Sequence, residues 1–136
     1  MIKPDPDSVA EYVANYIVQR IVKFSPSKMR PFVLGLPMCN SPVDIYHRLV
    51  ELFQQGKVSF ENVVTFNMDE YVGLPRDHPE SCHSFMWHNL FKHVDIKAEN
   101  VHLLDGNAEH LDLECRQYEE TIARYGGIEL LLSGTL

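Results

Sequence analysis

The sequence predicts an α/β protein in three layers, α/β/α, with a parallel sheet between the helices. Short apolar runs rich in strand formers alternate along the chain with segments of amphipathic, helical periodicity. The runs are apolar on both faces, as strands are when helices cover both sides of a sheet, and connections of this kind are right-handed crossovers. No repeat or linker divides the 136 residues, so we expect one domain over residues 1–136.

The first half of the chain predicts two helices and a strand. Residues 9–24 carry apolar side chains at intervals of three or four, which indicates a helix with one buried face. The run 32–36, FVLGL, predicts a buried strand that follows this helix. A second helix is predicted to begin with Ser41 as its N-cap and Pro42 in its first turn, and to end at Gly56.

The second half continues the same alternation. In chain order we expect a strand at 63–66, a helix from about 81 to 93, a strand at 101–104, a helix from about 109 to 125 and a strand at 128–132. The last run, IELLL, is apolar on both faces, yet no further strand follows it in this sequence. We therefore expect it to be left partly uncovered, which predicts a marginally stable fold that is prone to association.

Composition and charge narrow the classes of function. The net charge is −7 and the Lys and Arg residues do not cluster, which argues against a nucleic-acid partner. Three widely spaced cysteines without a CxxC pair indicate neither a disulfide framework nor a zinc site, and they favour the reducing cytosol. The sequence starts without a signal-peptide pattern and contains no apolar stretch of membrane-spanning length. We therefore expect a cytoplasmic protein that binds neither membranes nor nucleic acids.

The candidate ligand site lies where the predicted strands end. In open, Rossmann-like parallel sheets, ligands bind in the crevice beyond the carboxyl ends of the strands, which here selects segments 37–42, 67–72 and 133–136. Two adjacent carboxylates, Asp69 and Glu70, follow the second strand. A carboxylate partly withdrawn from water beside a ligand has its pKa raised towards the range useful for proton transfer. The alternative is an ordinary solvated pair of loop acids.

The histidines do not indicate a metal site. His83, His88 and His93 are five residues apart, which spreads them around a helix, whereas a pair of helical ligands is spaced at three or four residues. We expect these histidines to be surface or supporting residues. We expect neither a metal ion nor a cofactor.

One long segment is characteristic of a known family. The string TFNMDEYVGLPRDHPESCHSFMWHNLFKHVDI, followed by LDGNA, closely resembles the N-terminal part of glucosamine-6-phosphate deaminases, and the similarity runs from about Val9 to Leu132. The resemblance implies the reaction of glucosamine 6-phosphate with water to give fructose 6-phosphate and ammonia, with a phosphorylated amino sugar as ligand. It implies that Asp69 is the base that moves a proton between C2 and C1 of the open-chain sugar. It assigns no role to Glu70.

The same resemblance places a phosphate-binding loop after the first strand. Where the family reads LGLPTG followed by Gly or Ser and then TP, this chain reads LGLPMCNSP, so the implied phosphate-binding residues are Met38, Cys39, Asn40 and Ser41. Met38 replaces a hydroxyl donor and Cys39 replaces a glycine, and both changes predict weaker phosphate binding. Ser41 keeps a hydroxyl, which also suits a plain N-cap. Cys39 is either small buried filler or a reactive thiol near a helix N-terminus.

The family's later motifs have no counterpart in these 136 residues. The resemblance implies that a glycine-rich segment bearing the Asp, His and Glu used in ring opening should follow Ser133, together with basic residues that hold the phosphate. We therefore expect a sheet that is incomplete at both ends and a deaminase that is partial or inactive as this chain. The alternative is a non-catalytic relative that binds a full-length deaminase or a phosphosugar and modulates it. A homo-oligomer or association with a full-length deaminase are the expected assemblies.

Overall fold

A computed structural model of the chain describes residues 6–36, 43–67, 73, 75, 78–79 and 81–132, with side chains from residue 9 onward. The four helices are α1 (Pro6–Phe24), α2 (Val43–Gln54), α3 (Cys82–Asn89) and α4 (Leu111–Arg124). The four strands are β1 (Phe32–Leu36), β2 (Val63–Asn67), β3 (Val101–His102) and β4 (Leu130–Leu131). Single 3-10 turns lie at Phe91–His93 and Ala98–Asn100. The order of helices and strands is the one that the sequence predicts.

The strands form one parallel sheet in the order β3-β2-β1-β4. β1 and β2 pair residue for residue, from Phe32 opposite Val63 to Leu36 opposite Asn67. β3 pairs with the other edge of β2, and β4 with the other edge of β1. The carboxyl ends of β1 and β2 therefore lie side by side at the centre of the sheet.

The larger core lies between one face of the sheet and the helices α1, α2 and α3. Side chains alternate across a strand, so Phe32, Leu34 and Leu36 of β1 all point into this core, and each is at most 1% exposed. α1 contributes a stripe at helical spacing: Ala10, Ala14, Ile17, Val18 and Ile21. Complete burial of a Leu or Ile side chain stabilises the fold by about 1.5–3 kcal/mol, so this face supplies most of the hydrophobic stabilisation.

The opposite face carries a much smaller core beneath α4. Val33, Val64 and Phe66 are buried there, and their apolar neighbours Tyr118, Ile122 and Ile128 are only partly buried. No residue of α4, all of which the structure describes, is buried. Helices therefore cover both faces of the sheet, as predicted, but they cover them unequally.

Gly35 explains how closely the edge strand β4 approaches β1. A Cβ atom at this position would lie 2.7 Å from Cδ1 of Leu131 and 3.2 Å from two methyl carbons of Ile128. A larger residue would push these side chains away from β1. The glycine at position 35 therefore allows the side chains of Leu131 and Ile128 to pack closely against β1.

α3 is shorter than predicted, because it ends at Asn89 and not near His93. The Asn89 side chain donates through Nδ2 to the Phe85 carbonyl at 2.9 Å, and its Oδ1 lies 2.9 Å from Nε2 of His47 on α2. Such side-chain bonds to the preceding turn compete with helix continuation. The chain leaves helical geometry at Leu90 and continues as a 3-10 turn, which buries Leu90 and Phe91 together.

The bounds of the strands β2, β3 and β4 also differ from the sequence predictions. β2 continues through Asn67, one residue further than predicted, because Asn67 pairs with Leu36. β3 and β4 contain only two residues each, because each pairs with a central strand on one side only. β4 forms an edge of the described sheet, where Leu131 is 57% exposed as expected for a partly uncovered strand, whereas the adjacent Leu132 is buried.

The N-terminal caps predicted for α2, Ser41 and Pro42, lie outside the described residues. Of the helices in the described part of the chain, none combines the length and the apolar character needed to cross a membrane.

Candidate functional site

The candidate site begins where β1 and β2 end together. Leu36 and Asn67, the last residues of these strands, are register partners in a parallel pair, so their backbones are about 4.8 Å apart. The chain leaves these two points into segments 37–42 and 68–72. The predicted base Asp69 and its neighbour Glu70 belong to the second segment. The predicted phosphate-binding residues Met38, Cys39, Asn40 and Ser41 belong to the first, and all six lie outside the described residues.

Asn67 is the polar residue on which this end of the sheet is built. Its side chain is completely buried, at 0% exposure, on the face that packs against α1, α2 and α3. Neither Oδ1 nor Nδ2 of the amide has a hydrogen-bond partner among the described residues. The sequence placed Asn67 at the start of the candidate segment 67–72 but gave its side chain no role, although a polar residue at the end of the run VVTFN was the available signal.

Tyr118 of α4 holds the end of β2 from the opposite face. Its hydroxyl lies 2.6 Å from the Asn67 carbonyl oxygen and 2.8 Å from that of His102, so its single proton is shared between the last residues of two neighbouring strands. Burial is the main reason that the pKa of Tyr118 is raised well above its usual value, and the hydroxyl keeps its proton. Tyr118 therefore fixes the strand end that leads to Asp69.

An aromatic cluster surrounds this attachment. The His102 ring stacks on Phe66, with centroids 4.4 Å apart and planes 9° apart, and Tyr118 and Tyr125 meet Phe66 edge to face. Nε2 of His102 is buried without a partner among the described residues. Burial lowers the pKa of His102, because the charged imidazolium is disfavoured there. Burial in the aromatic cluster therefore favours the neutral form of His102.

Two backbone N–H groups donate hydrogen bonds in the segments that follow β2 and β3. The N–H of Gly73 donates to the Gly106 carbonyl at 2.9 Å, which joins the chain after β2 to the LDGNA segment after β3. Gly73 has a φ of 81°, a left-handed conformation that glycine adopts without strain. Asp105 in the same segment donates its N–H to the Glu114 carboxylate at 2.9 Å. Gly73 is thus joined to the segment after β3, and that segment is joined to α4.

The histidines of the α3 region make ordinary structural contacts. Nε2 of His93 lies 2.9 Å from the His88 carbonyl, and the ammonium of Lys92 lies 3.4 Å from Nδ1 of His88. Across the described ranges, no three His, Cys, Asp or Glu side chains come together in a group able to hold a metal ion. Ser81, fully buried, caps α3 by accepting from the Ser84 N–H at 3.0 Å.

The fold is that of an α/β protein with a central parallel sheet, whose two central strands β1 and β2 end side by side. A family model described as Glucosamine-6-phosphate isomerases/6-phosphogluconolactonase matches residues 4–134. Because this match spans nearly the whole chain, the protein belongs to that family. The finding agrees with the resemblance found in the sequence.

Individual relatives support the same family. The glucosamine-6-phosphate deaminase of Phocaeicola vulgatus is 56% identical over 134 residues, which are 98% of this chain and 51% of that protein. The deaminase of Borreliella afzelii is 52% identical over 134 residues, with 98% and 50% covered. This chain therefore spans about half the length of the curated relatives it matches.

Solved structures show the same fold. A monomeric glucosamine-6-phosphate deaminase superimposes with a TM-score of 0.86 at 32% identity, over 95% of this chain and 52% of that one. The 6-phosphogluconolactonase of Thermotoga maritima gives a TM-score of 0.62 at 21% identity, over 88% of this chain and 53% of that one, and it shares the fold.

Proposed function

We propose that this chain is a glucosamine-6-phosphate deaminase-like protein that binds a phosphorylated amino sugar beyond β1 and β2 and is partial or inactive on its own. The observation that carries the proposal is the register pair Leu36 and Asn67. This pairing brings the starts of segments 37–42 and 68–72, which bear the family's phosphate-loop and base motifs, to the same carboxyl end of the sheet. Ligands of such sheets bind beyond that end. Family membership supports the substrate class.

In this proposal Asp69 is the base. It follows Asn67 by two residues, and Asn67 is anchored through its carbonyl to Tyr118. A carboxylate held close to a fixed strand end reaches two adjacent carbons from one side of the sugar, as transfer of a proton between C2 and C1 requires. The resulting enolamine isomerises to the imine at C2, and water then adds to C2 and displaces the nitrogen as ammonia, which leaves the C2 carbonyl of fructose 6-phosphate.

The altered phosphate loop provides a test of where the phosphate binds. Restoring Met38→Thr together with Cys39→Gly returns a hydroxyl donor and an approachable backbone to the loop. We expect isothermal titration to show tighter binding of glucosamine 6-phosphate and little change for glucosamine, which serves as the control ligand. Equal changes for both ligands would mean that the phosphate does not bind at this loop.

The exposed edge of the sheet favours a second candidate, a non-catalytic relative that associates with a full-length deaminase. Among the described strands, β4 pairs on one side only, and its Leu131 is 57% exposed, which suits pairing with another chain. The three widely spaced cysteines, without a CxxC pair, are typical of a reducing compartment, which supports a cytoplasmic location.

Activity distinguishes the two candidates from a complete enzyme. We expect the purified chain to release no measurable ammonia from glucosamine 6-phosphate, because the family's ring-opening residues have no counterpart in it. Each missing acid–base group costs about 10²–10⁴-fold in rate. Ammonia release that disappears in Asp69→Asn would show instead that the 136 residues are a working enzyme.

A further inference from the structure

The side-chain amide of Asn67 makes no contribution to the described fold. It is fully buried, and both its oxygen and its nitrogen lack partners among the described residues. The fold uses the Asn67 main chain, whose carbonyl accepts from Tyr118. An unsatisfied buried amide destabilises a protein, and an apolar side chain of similar size would avoid this loss. A buried polar group with no structural use points to a use in binding.

The position of Asn67 indicates what it binds. Asn67 is the last residue of β2 and lies opposite the last residue of β1. The proposed phosphosugar would lie beyond this carboxyl end of the sheet. An amide offers one donating NH₂ group and one accepting oxygen, which match the hydroxyl and amino groups of an amino sugar or a water bound to them.

We propose that the Asn67 amide is a hydrogen-bonding position of the ligand site, which acquires its partner, a polar group of a phosphorylated amino sugar or one bridging water, when the ligand binds. This inference rests on the function proposed above and adds to it a residue that determines affinity. With an apolar side chain in place of Asn67, the polar group of the bound ligand would be buried without a partner. An unpaired buried polar group causes a large loss in recognition, so an apolar replacement should weaken binding.

Thr65 provides a matched control on the same strand. It points to the same face as Asn67, is 1% exposed, and its Oγ1 also lacks a partner among the described residues. It lies two residues deeper, between Leu34 of β1 and Val101 of β3, in the interior of the sheet. Thr65→Val therefore removes a buried unsatisfied polar atom at a position that a ligand does not reach.

The experiment combines thermal unfolding with titration of glucosamine 6-phosphate into the full 136-residue chain. We expect Asn67→Leu and Thr65→Val each to raise the Tm without ligand, by about 3 °C or more, because both remove an unsatisfied buried group. Only Asn67→Leu should weaken binding, by about tenfold, as the loss of a ligand hydrogen bond predicts. Asn67→Ala, which cannot crowd its neighbours, should show the same loss of binding.

Each other outcome has a definite meaning. A lower Tm for Asn67→Leu with unchanged binding would make the amide a structural residue and overturn the inference alone. Binding that is unchanged in both Asn67 variants would do the same. An unsubstituted chain that binds no glucosamine 6-phosphate would overturn the proposed function, and this inference with it.

Discussion

The two faces of the sheet are held in different ways. On the face covered by α1, α2 and α3, side chains such as Phe32, Leu49 and Ile17 are completely buried in one continuous apolar core. On the face covered by α4, three buried strand residues meet side chains that are only partly buried. Here hydrogen bonds from Tyr118 and stacked aromatic rings replace bulk packing.

This difference shows how stability and function are divided in the protein. The first face stabilises the fold largely by apolar burial, which is not directional. The second face positions the end of β2 by directed contacts, and that strand end leads to the proposed base. Changes to the apolar side chains of the first face should therefore act mainly on stability. Changes to Tyr118 beneath α4, and to Asn67 at the end of β2, should also act on the site.

The largest expected effect separates the two faces by stability. Leu49→Ala, at 0% exposure on α2, should lower the free energy of unfolding by about 3 kcal/mol, because it leaves a cavity in a closed core. Ile122→Ala on α4 should cost only about 1 kcal/mol, because that side chain is partly exposed. Urea unfolding of both variants measures the difference. Equal losses would contradict the unequal division of the core.

A smaller effect is expected when the bonds from Tyr118 are removed. Tyr118→Phe leaves two carbonyls at the ends of β2 and β3 without their donor, which should cost about 1–3 kcal/mol in urea unfolding. Tyr125→Phe, on the same face with 37% exposure, is the control and should cost less than about 0.5 kcal/mol. Similar losses in the two variants would show that the attachment of α4 depends on ring packing alone.

The smallest expected effect is a dependence of stability on pH that arises from His102, beneath α4. Burial lowers the pKa of His102 below its usual 6.5, so the folded chain binds this proton less readily than the unfolded chain. The resulting stability is complete above pH 6.5 and is lost as the pH falls through the folded pKa. Thermal unfolding between pH 8 and 5.5 should therefore show a weaker decline in His102→Gln than in the unsubstituted protein. Parallel curves for the two proteins would exclude this role for His102.

The sequence was sufficient for the parts of the fold that local pattern determines. β1 was predicted with its exact bounds, because FVLGL is a continuous buried run between two helices. The predicted end of α3 was wrong, because the Asn89 side chain bonds both to the Phe85 carbonyl one turn earlier and to His47, which lies 42 positions away in the sequence. The extent of β4 was also wrong, because the register with β1 depends on tertiary pairing.

The candidate site could be predicted only in part, for a similar reason. The motif residues from Met38 to Ser41 and Asp69 came from the resemblance, and they remain predictions because they lie outside the described residues. Tyr118 was missed, and Asn67 was placed in the segment 67–72 without a role for its side chain, because their importance comes from burial and from hydrogen bonds between distant elements. A Tyr in a largely polar helix gives no such signal by itself.

The most direct test of the proposed function is complementation with the remainder of a relative. The chain would be co-expressed with the half of the Phocaeicola vulgatus deaminase that it does not match, and ammonia release from glucosamine 6-phosphate would be measured on the purified complex. We expect a soluble complex that releases ammonia, and we expect the Asp69→Asn variant to lose that activity. A well-formed complex without activity, or activity that Asp69→Asn leaves intact, would contradict it.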